Sequence, residues 1–223
     1  MSEPSTEGQG FDLDAARDRV LDAALVHVPF DGWSERALAQ GAIDAGYDAS
    51  MAVRVFPRGG IEAVEHFSRR ADQRMMEELG RRDLKAIKIR ERVALAVRTR
   101  LEANAAHREA IRRAIALLAL PSNAPLAAKL LYRTVDALWY ACGDTATDYN
   151  FYTKRALLAA VYAATVPYWL EDGSEGSADT YAFLDRRIAE VMKVPGLIKD
   201  VQDRLGRLPN PFRVLGLRPF GGR

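Results

Sequence analysis

Apolar residues recur at helical spacing along almost the whole chain, and no strand-like alternation persists anywhere in it. This property commits the chain to an all-α fold. A period of 3.6 lays an apolar stripe along a helix and is incompatible with the two-residue period of a half-buried strand. Residues 12–28 carry Leu13, Ala16, Val20, Ala24 and Val28 along one face, with Pro29 as the expected stop. Ser34 is placed to cap a helix running to about residue 45, and Gly46 to end it. Asp48 or Ser50 then caps a brief helix that stops at Phe56-Pro57. A longer helix with Ile61, Val64, Phe67 or Ser68, Ala71 and Met75 follows, to about residue 79.

The second part holds longer helices. Residues 84–103 present Ile87, Val93, Val97 and Leu101 opposite an Arg/Lys/Glu face, and 107–120 ends at Pro121. Residues 125–142 are strongly apolar, and 150–170 are apolar around most of the circumference, with Pro167 expected to kink the last turn. EDGSEGSAD, residues 171–179, reads as the clearest flexible segment. An amphipathic helix over 180–193 follows, and Pro195 opens a short one carrying Leu197, Ile198, Val201 and Leu205. With 48% hydrophobic and 28% charged residues in 223, a substantial core is within reach.

A net charge of +2 neither requires nor forbids a basic nucleic-acid face. The lone Cys142 excludes an intrachain disulfide and a multi-cysteine zinc site, and reads as a small buried apolar group. The polar, acidic N-terminus (residues 1–11, expected to be disordered) has the character of neither a signal nor a transit peptide. No run of about 18 apolar residues occurs. The chain is therefore expected to be soluble and cytoplasmic, with contact to a membrane surface left open.

Chemistry-bearing clusters are few. Glu62, Glu65 and His66 share one helix, but a di-iron site in a helical bundle needs paired Glu/His positions on two helices plus two further carboxylates. With no second copy, a solvated helix face is the preferred reading and no metal is expected. No P-loop, dinucleotide fingerprint or G-x-S-x-G elbow is present, so an enzyme is the weaker class. The segment 144–155 concentrates Asp144, Thr147, Asp148 and Asn150, all good helix caps, beside Tyr149, Phe151 and Tyr152. The caps explain the polar residues; the aromatics fit either core packing or a partner surface. The two most apolar helices, 126–142 and 156–170, are either central core helices or the walls of an apolar cavity. The tail 206–223 interleaves Arg207, Arg213, Arg218 and Arg223 with Phe212, Leu215 and Phe220 and has no acid. It reads as a disordered basic tail or as an interfacial membrane segment.

AGYDASMAVRVFPRGG, residues 45–60, has the layout of a helix-turn-helix exit, and with Gly32-Trp33, Ala45-Gly46 and Phe56-Pro57 the N-terminal run resembles the TetR regulators. Where such regulators contact DNA, this chain has Asp48, Val53, Val55 and Gly59 or Gly60, with only Arg54 and Arg58 basic. The lost phosphate contacts argue against a DNA reader.

GWSERAL, MAVRVFPRGGIEAVEHF and GDTATDYNFYTKRALLAAVY, within residues 20–193, are similar to the ubiquinone-biosynthesis accessory proteins of the ninth Coq class. The resemblance implies a TetR-like all-α fold, with a degenerate helix-turn-helix lobe over 12–70, a lipid-binding, dimerising lobe over 71–195 and a membrane-associating tail over 196–223. It implies a non-enzymatic homodimer without a cofactor, peripheral on the bacterial inner membrane. Such a protein would bind an isoprenoid or quinone intermediate and present it to the di-iron demethoxyubiquinone hydroxylase. Carried onto this chain, Leu126, Leu130, Leu131, Val135, Leu138, Leu157, Leu158, Val161, Tyr162, Val166 and Trp169 would line the lipid pocket. Asp148, Asn150, Phe151, Tyr152 and Arg155, with Leu138 or Ala137, would face the hydroxylase. Leu197, Ile198, Val201, Leu205, Phe212, Leu215 and Phe220 would contact membrane. Phe151 stands where eukaryotic members usually have Trp, and Pro209 and Pro211 interrupt the tail. A ligand-responsive repressor is the alternative.

Overall fold

The computed structural model describes residues 12–84, 86–143 and 149–193, with side chains for all of these except 149–152. Among them the regular structure is helical, without a strand. The elements are α1 (Leu13–Ala24), α2 (Val28–Asp31), α3 (Glu35–Asp44), α4 (Met51–Val55) and α5 (Gly60–Gly80), then α6 (Ile89–Glu102), α7 (Arg108–Leu118), α8 (Ala124–Ala141), α9 (Tyr149–Glu171) and α10 (Ala178–Val191). Residues 1–11 and the tail after 193, to which the expected disorder and membrane contacts were assigned, lie outside the described residues.

Local chemistry explains most boundaries. Asp12 Oδ1 accepts from the backbone N–H groups of Asp14 and Ala15, each at 3.0 Å, and starts α1. Pro29 does not stop that helix. It sits in the first turn of α2, where a missing N–H has no helical partner to lose. Ser34 Oγ accepts from the Ala37 N–H at 3.2 Å, and Gly46 leaves α3 at φ +82°. Of the two candidate caps before α4, Asp48 makes the contact, accepting from the Ser50 N–H at 2.9 Å. α6 begins at Ile89, later than expected, because residues 86–88 form a turn and an extended lead-in. α9 continues as one helix through Pro167 to Glu171.

The packing forms two apolar cores. The first gathers Val20, Leu21, Leu38, Phe56, Val64 and Phe67 from α1 and α3–α5, with Ala110 and Ala114 of α7. The second gathers Met75, Leu79, Val97, Leu138, Trp169 and Leu184 from α5, α6 and α8–α10, and includes Cys142. The 21-residue α5 therefore belongs to both. Its entry is tight: a Cβ on Gly60 would lie 1.8 Å from the Trp33 carbonyl oxygen. The Trp33 indole in turn donates to the Ala110 carbonyl at 2.9 Å and ties the N-terminal lobe to α7.

Two expectations about surface and flexibility are overturned. Glu65 and His66 are buried and do not form a solvated face. Glu65 accepts from Lys129 Nζ and from Arg58 Nη2, both at 2.8 Å, and His66 Nε2 meets Asp18 Oδ1 at 2.6 Å. They sit where α5 meets α1 and α8, and burial without counter-groups would leave charge unsolvated. Segment 171–179 is held by hydrogen bonds. The Asp172 carboxylate accepts from the Ser174 and Thr180 backbone N–H groups (2.8 and 2.9 Å) and from their hydroxyls (2.6 and 2.5 Å). Arg108 donates to the Asp172 carbonyl at 2.8 Å and to Ser177 Oγ at 2.6 Å.

Candidate functional site

A cavity of about 380 Å³ opens between α5, α6, α7, α8 and α9. Its volume lies in the range of small-molecule pockets. Each wall follows from a helical stripe: Val64, Phe67 and Ala71 on α5, Ile111, Ala114, Ile115 and Leu118 on α7, and Ala127, Leu130 and Leu131 on α8. From α9 come Tyr162, Ala163, Val166, Pro167 and Trp169. Ile115, Ala119, Ala163 and Pro167 are exposed and form the mouth. The mouth adjoins the corner where the helical stretches 105–118 and 121–141 meet at 96°, and residues 114–128 of that corner contain no charged side chain. Among the described residues no single helix is long and apolar enough to cross a membrane.

The floor is polar. Arg100 of α6, only 9% exposed, donates through Nε to Asp72 Oδ1 at 2.8 Å and through Nη1 to the Tyr162 hydroxyl. Its Nη2 reaches Thr134 Oγ1 at 3.3 Å and Ser68 Oγ at 3.5 Å, and Thr134 donates to Asp72 at 3.0 Å. Asn104 closes the set, donating to the Arg100 carbonyl at 2.7 Å and accepting from Arg74 at 2.8 Å. Burial works against the Arg100 charge, but Tyr162 and Asp72 outweigh it and hold the guanidinium above its ordinary pKa. Burial also pushes the Tyr162 phenol up, so it is a neutral hydroxyl at physiological pH.

Of the residues expected to line a pocket, Leu130, Leu131, Tyr162, Val166 and Trp169 do so. Val135, Leu138, Leu158 and Val161 pack into the second core, Leu126 packs against the first, and Leu157 is half-buried away from the cavity. The reason is that α9 is apolar all round, so composition alone does not say which of its faces meets a void. The contributions of α5, α6 and α7 were not foreseen. One signal was available: Arg100 falls on the apolar stripe of α6, three residues after Val97, and a charge in a core stripe needs an internal partner.

The expected partner patch is corrected in part. Leu138 is 0% exposed and is not on any surface, because α8 turns it into the second core. Arg155 is also buried, its Nε 2.8 Å from Asp136 Oδ1. Asp148 and the side chains of Asn150, Phe151 and Tyr152 lie outside the described residues, although 150–152 fall within α9. No group of three His, Cys, Asp or Glu side chains among the described residues is placed to hold a metal.

The model of the family described as COQ9 matches residues 124–195. These residues span α8 to α10, which include the C-terminal wall of the cavity. The chain is similar to the ubiquinone biosynthesis protein COQ9 of Drosophila melanogaster, 33% identical over 205 residues that make up 89% of this chain and 62% of that protein. It is 35% identical to the human COQ9 over 82% of this chain and 60% of that protein. The rat protein gives 35% identity over 82% of this chain and 61% of its own length. The chain thus spans somewhat under two thirds of the length of these relatives. All three are named mitochondrial, which corrects the expectation of a cytoplasmic protein on a bacterial inner membrane. A TetR transcriptional regulator of Nitrosomonas europaea superposes with a TM-score of 0.65 over 80% of this chain and 99% of that one, at 22% identity. That likeness establishes the TetR-like all-α fold.

Proposed function

We propose, from the premise that this chain is a homologue of the COQ9 proteins and carries their domain over residues 124–195, that it serves ubiquinone biosynthesis as a lipid-binding accessory factor. The observation that supports this reading best is the cavity itself: apolar walls, one polar end and a mouth at an uncharged corner. In this reading an isoprenoid or quinone intermediate partitions from a bilayer into the cavity, each buried CH₂ contributing about 0.8 kcal/mol. The chain acts as a homodimer on a membrane surface, without catalysis of its own and without a cofactor. It passes the intermediate to the demethoxyubiquinone hydroxylase through the start of α9, where Phe151 and Tyr152 lie.

Mass spectrometry of the purified protein is expected to recover a co-purifying lipid or quinone. Titration with a short-chain quinone is expected to quench Trp169 fluorescence. A chain that yields no lipid and shows no binding would overturn the proposal. Ile115→Asp, at the exposed mouth, is expected to lower affinity about tenfold without unfolding the protein, since an ion beside the entry must be desolvated. Hydroxylase pull-down is expected to be lost in Phe151→Lys and Tyr152→Lys; unchanged capture would reject the handover surface.

A DNA-binding reading finds less support. α4 is five residues long, Val55 is buried, and Asp48 is exposed at its N-terminal side. The backbone N–H of Ser50 holds the Asp48 carboxyl below its usual range, so a negative charge stands where a phosphate would approach. A salt-sensitive, sequence-specific gel shift would reverse that judgement.

A further inference from the structure

The pocket lining is not uniform, and its polar side chains are gathered around Arg100. Ile115, Ala119, Ala163 and Pro167 at the entrance carry no side-chain donor or acceptor, whereas Arg100, Asn104 and Thr134 at the floor are each 9% exposed or less. A buried guanidinium is seldom placed against a cavity wall, because an apolar isostere packs there as well or better.

Donor counting shows what this one offers. Arg100 has five N–H donors. Its contacts are one to Asp72 at 2.8 Å, one to the Tyr162 hydroxyl and two long ones, to Thr134 at 3.3 Å and Ser68 at 3.5 Å. One N–H is left over and two are weakly used, all on the two terminal nitrogens. The charge balance decides the sign of the ligand. Asp72 neutralises Arg100, the one charged side chain of the cavity lining, so the lining offers strong donors while an entering anion meets no uncompensated cation in it; Arg74 stands behind Asn104, outside the lining. The shape decides the head group. Phe67, Tyr162 and Trp169 are aromatic members of the lining, and the Arg100 guanidinium lies 5.4 Å from the centre of the Tyr162 ring.

We infer that Arg100 is the specificity-determining residue of this cavity. It donates to a neutral oxygen on the ring of an amphiphile that enters head first and leaves its apolar tail in the mouth. The inference rests on the lipid-binding reading and adds to it the residue that reads the head group and the ligand's orientation, with an uncharged oxygenated ring at Arg100 in preference to a carboxylate or a plain hydrocarbon. Carbonyl and hydroxyl oxygens on the ring serve alike, since either accepts from the guanidinium.

The test uses the full chain and probes with one tail: decyl-benzoquinone, decylbenzene, a decyl glycerol ether and decanoate, each titrated by displacement of a fluorescent apolar dye. The quinone is expected to bind about tenfold tighter than decylbenzene, equivalent to about 1.4 kcal/mol. The glycerol ether and decanoate are expected to bind more weakly than the quinone. The double variant Arg100→Met, Asp72→Leu replaces the ion pair by apolar groups of similar volume, and its binding of the quinone is read as a ratio to its own binding of decylbenzene. The quinone preference should shrink to within about twofold. Should circular dichroism show that variant unfolded, Arg100→Lys keeps the charge opposite Asp72 but removes the planar fork, and it too should narrow the ratio. Equal binding of quinone and decylbenzene overturns the inference and leaves the lipid-binding reading intact. So does a preference that survives loss of Arg100. Tighter binding of decanoate or of the glycerol ether overturns the ring. Binding of none of the probes overturns both readings.

Discussion

A methyl group on residue 60 would stand 1.8 Å from the Trp33 carbonyl oxygen, a backbone atom that cannot swing away. Gly60→Ala is therefore expected to cost about 3 kcal/mol, seen as a lower urea midpoint with an unchanged slope. Glu65 makes a different residue-scale prediction. Hydrogen bonds from Lys129 first, then Arg58, hold its carboxyl at about 2. An unfolded Glu titrates near about 4.3, so the folded state binds its proton more weakly. The stability from this group is complete above that pH and is lost as pH falls from about 4 towards 2. Because both cations are more than half exposed, the contribution is discounted to about 2 kcal/mol. Glu65→Gln should flatten the acid limb of the stability curve over that window. A variant with the same acid limb as the parent would show that the ion pairs contribute nothing.

At the scale of elements, the α9–α10 connection is a small hydrogen-bonded unit built on Asp172. Its carboxyl is held well below the usual range by the Ser174 and Thr180 hydroxyls, and Arg108 fastens the same turn from α7. Asp172→Ala should lower Tm by a few degrees and expose the connection to limited proteolysis, while circular dichroism of the helices changes little. Unchanged protease resistance would mean that Arg108 alone holds the turn. The same connection shows what a sequence reveals and what it hides. The Ser34 cap was legible because donor and acceptor lie within three residues of each other. The order of 171–179 was not, because its Gly/Ser-rich composition predicts freedom, while Asp172 bonds as far on as Thr180 and Arg108 fastens the turn from 64 residues away in the chain. The cavity was half legible for a similar reason. Apolar α8 and α9 announced a wall, but which faces stay uncovered depends on how α5, α6 and α7 cross them, and no local pattern encodes that crossing.

Over the whole molecule, α5 and α8 each contribute to both cores, α5 with Ala63, Val64 and Phe67 in the first and Met75 and Leu79 in the second, α8 with Leu130 in the first and Val135 and Leu138 in the second. Between the two sets on α5, Ser68 and Ala71 face the cavity. The cavity thus lies where residues of the two cores meet. A ligand that fills this space touches the first core through Val64 and Phe67 and the second through Leu101 and Trp169. Binding at one hundred times Kd adds about 2.7 kcal/mol to the folded state. It should also change the form of the melt. Scanning calorimetry of the unliganded chain is expected to give a van't Hoff enthalpy below the calorimetric one, with the two lobes melting as partly independent units. With ligand bound, the two enthalpies should converge. In that sense the small molecule would act as a missing stretch of core, and cargo occupancy would be readable as the cooperativity of unfolding.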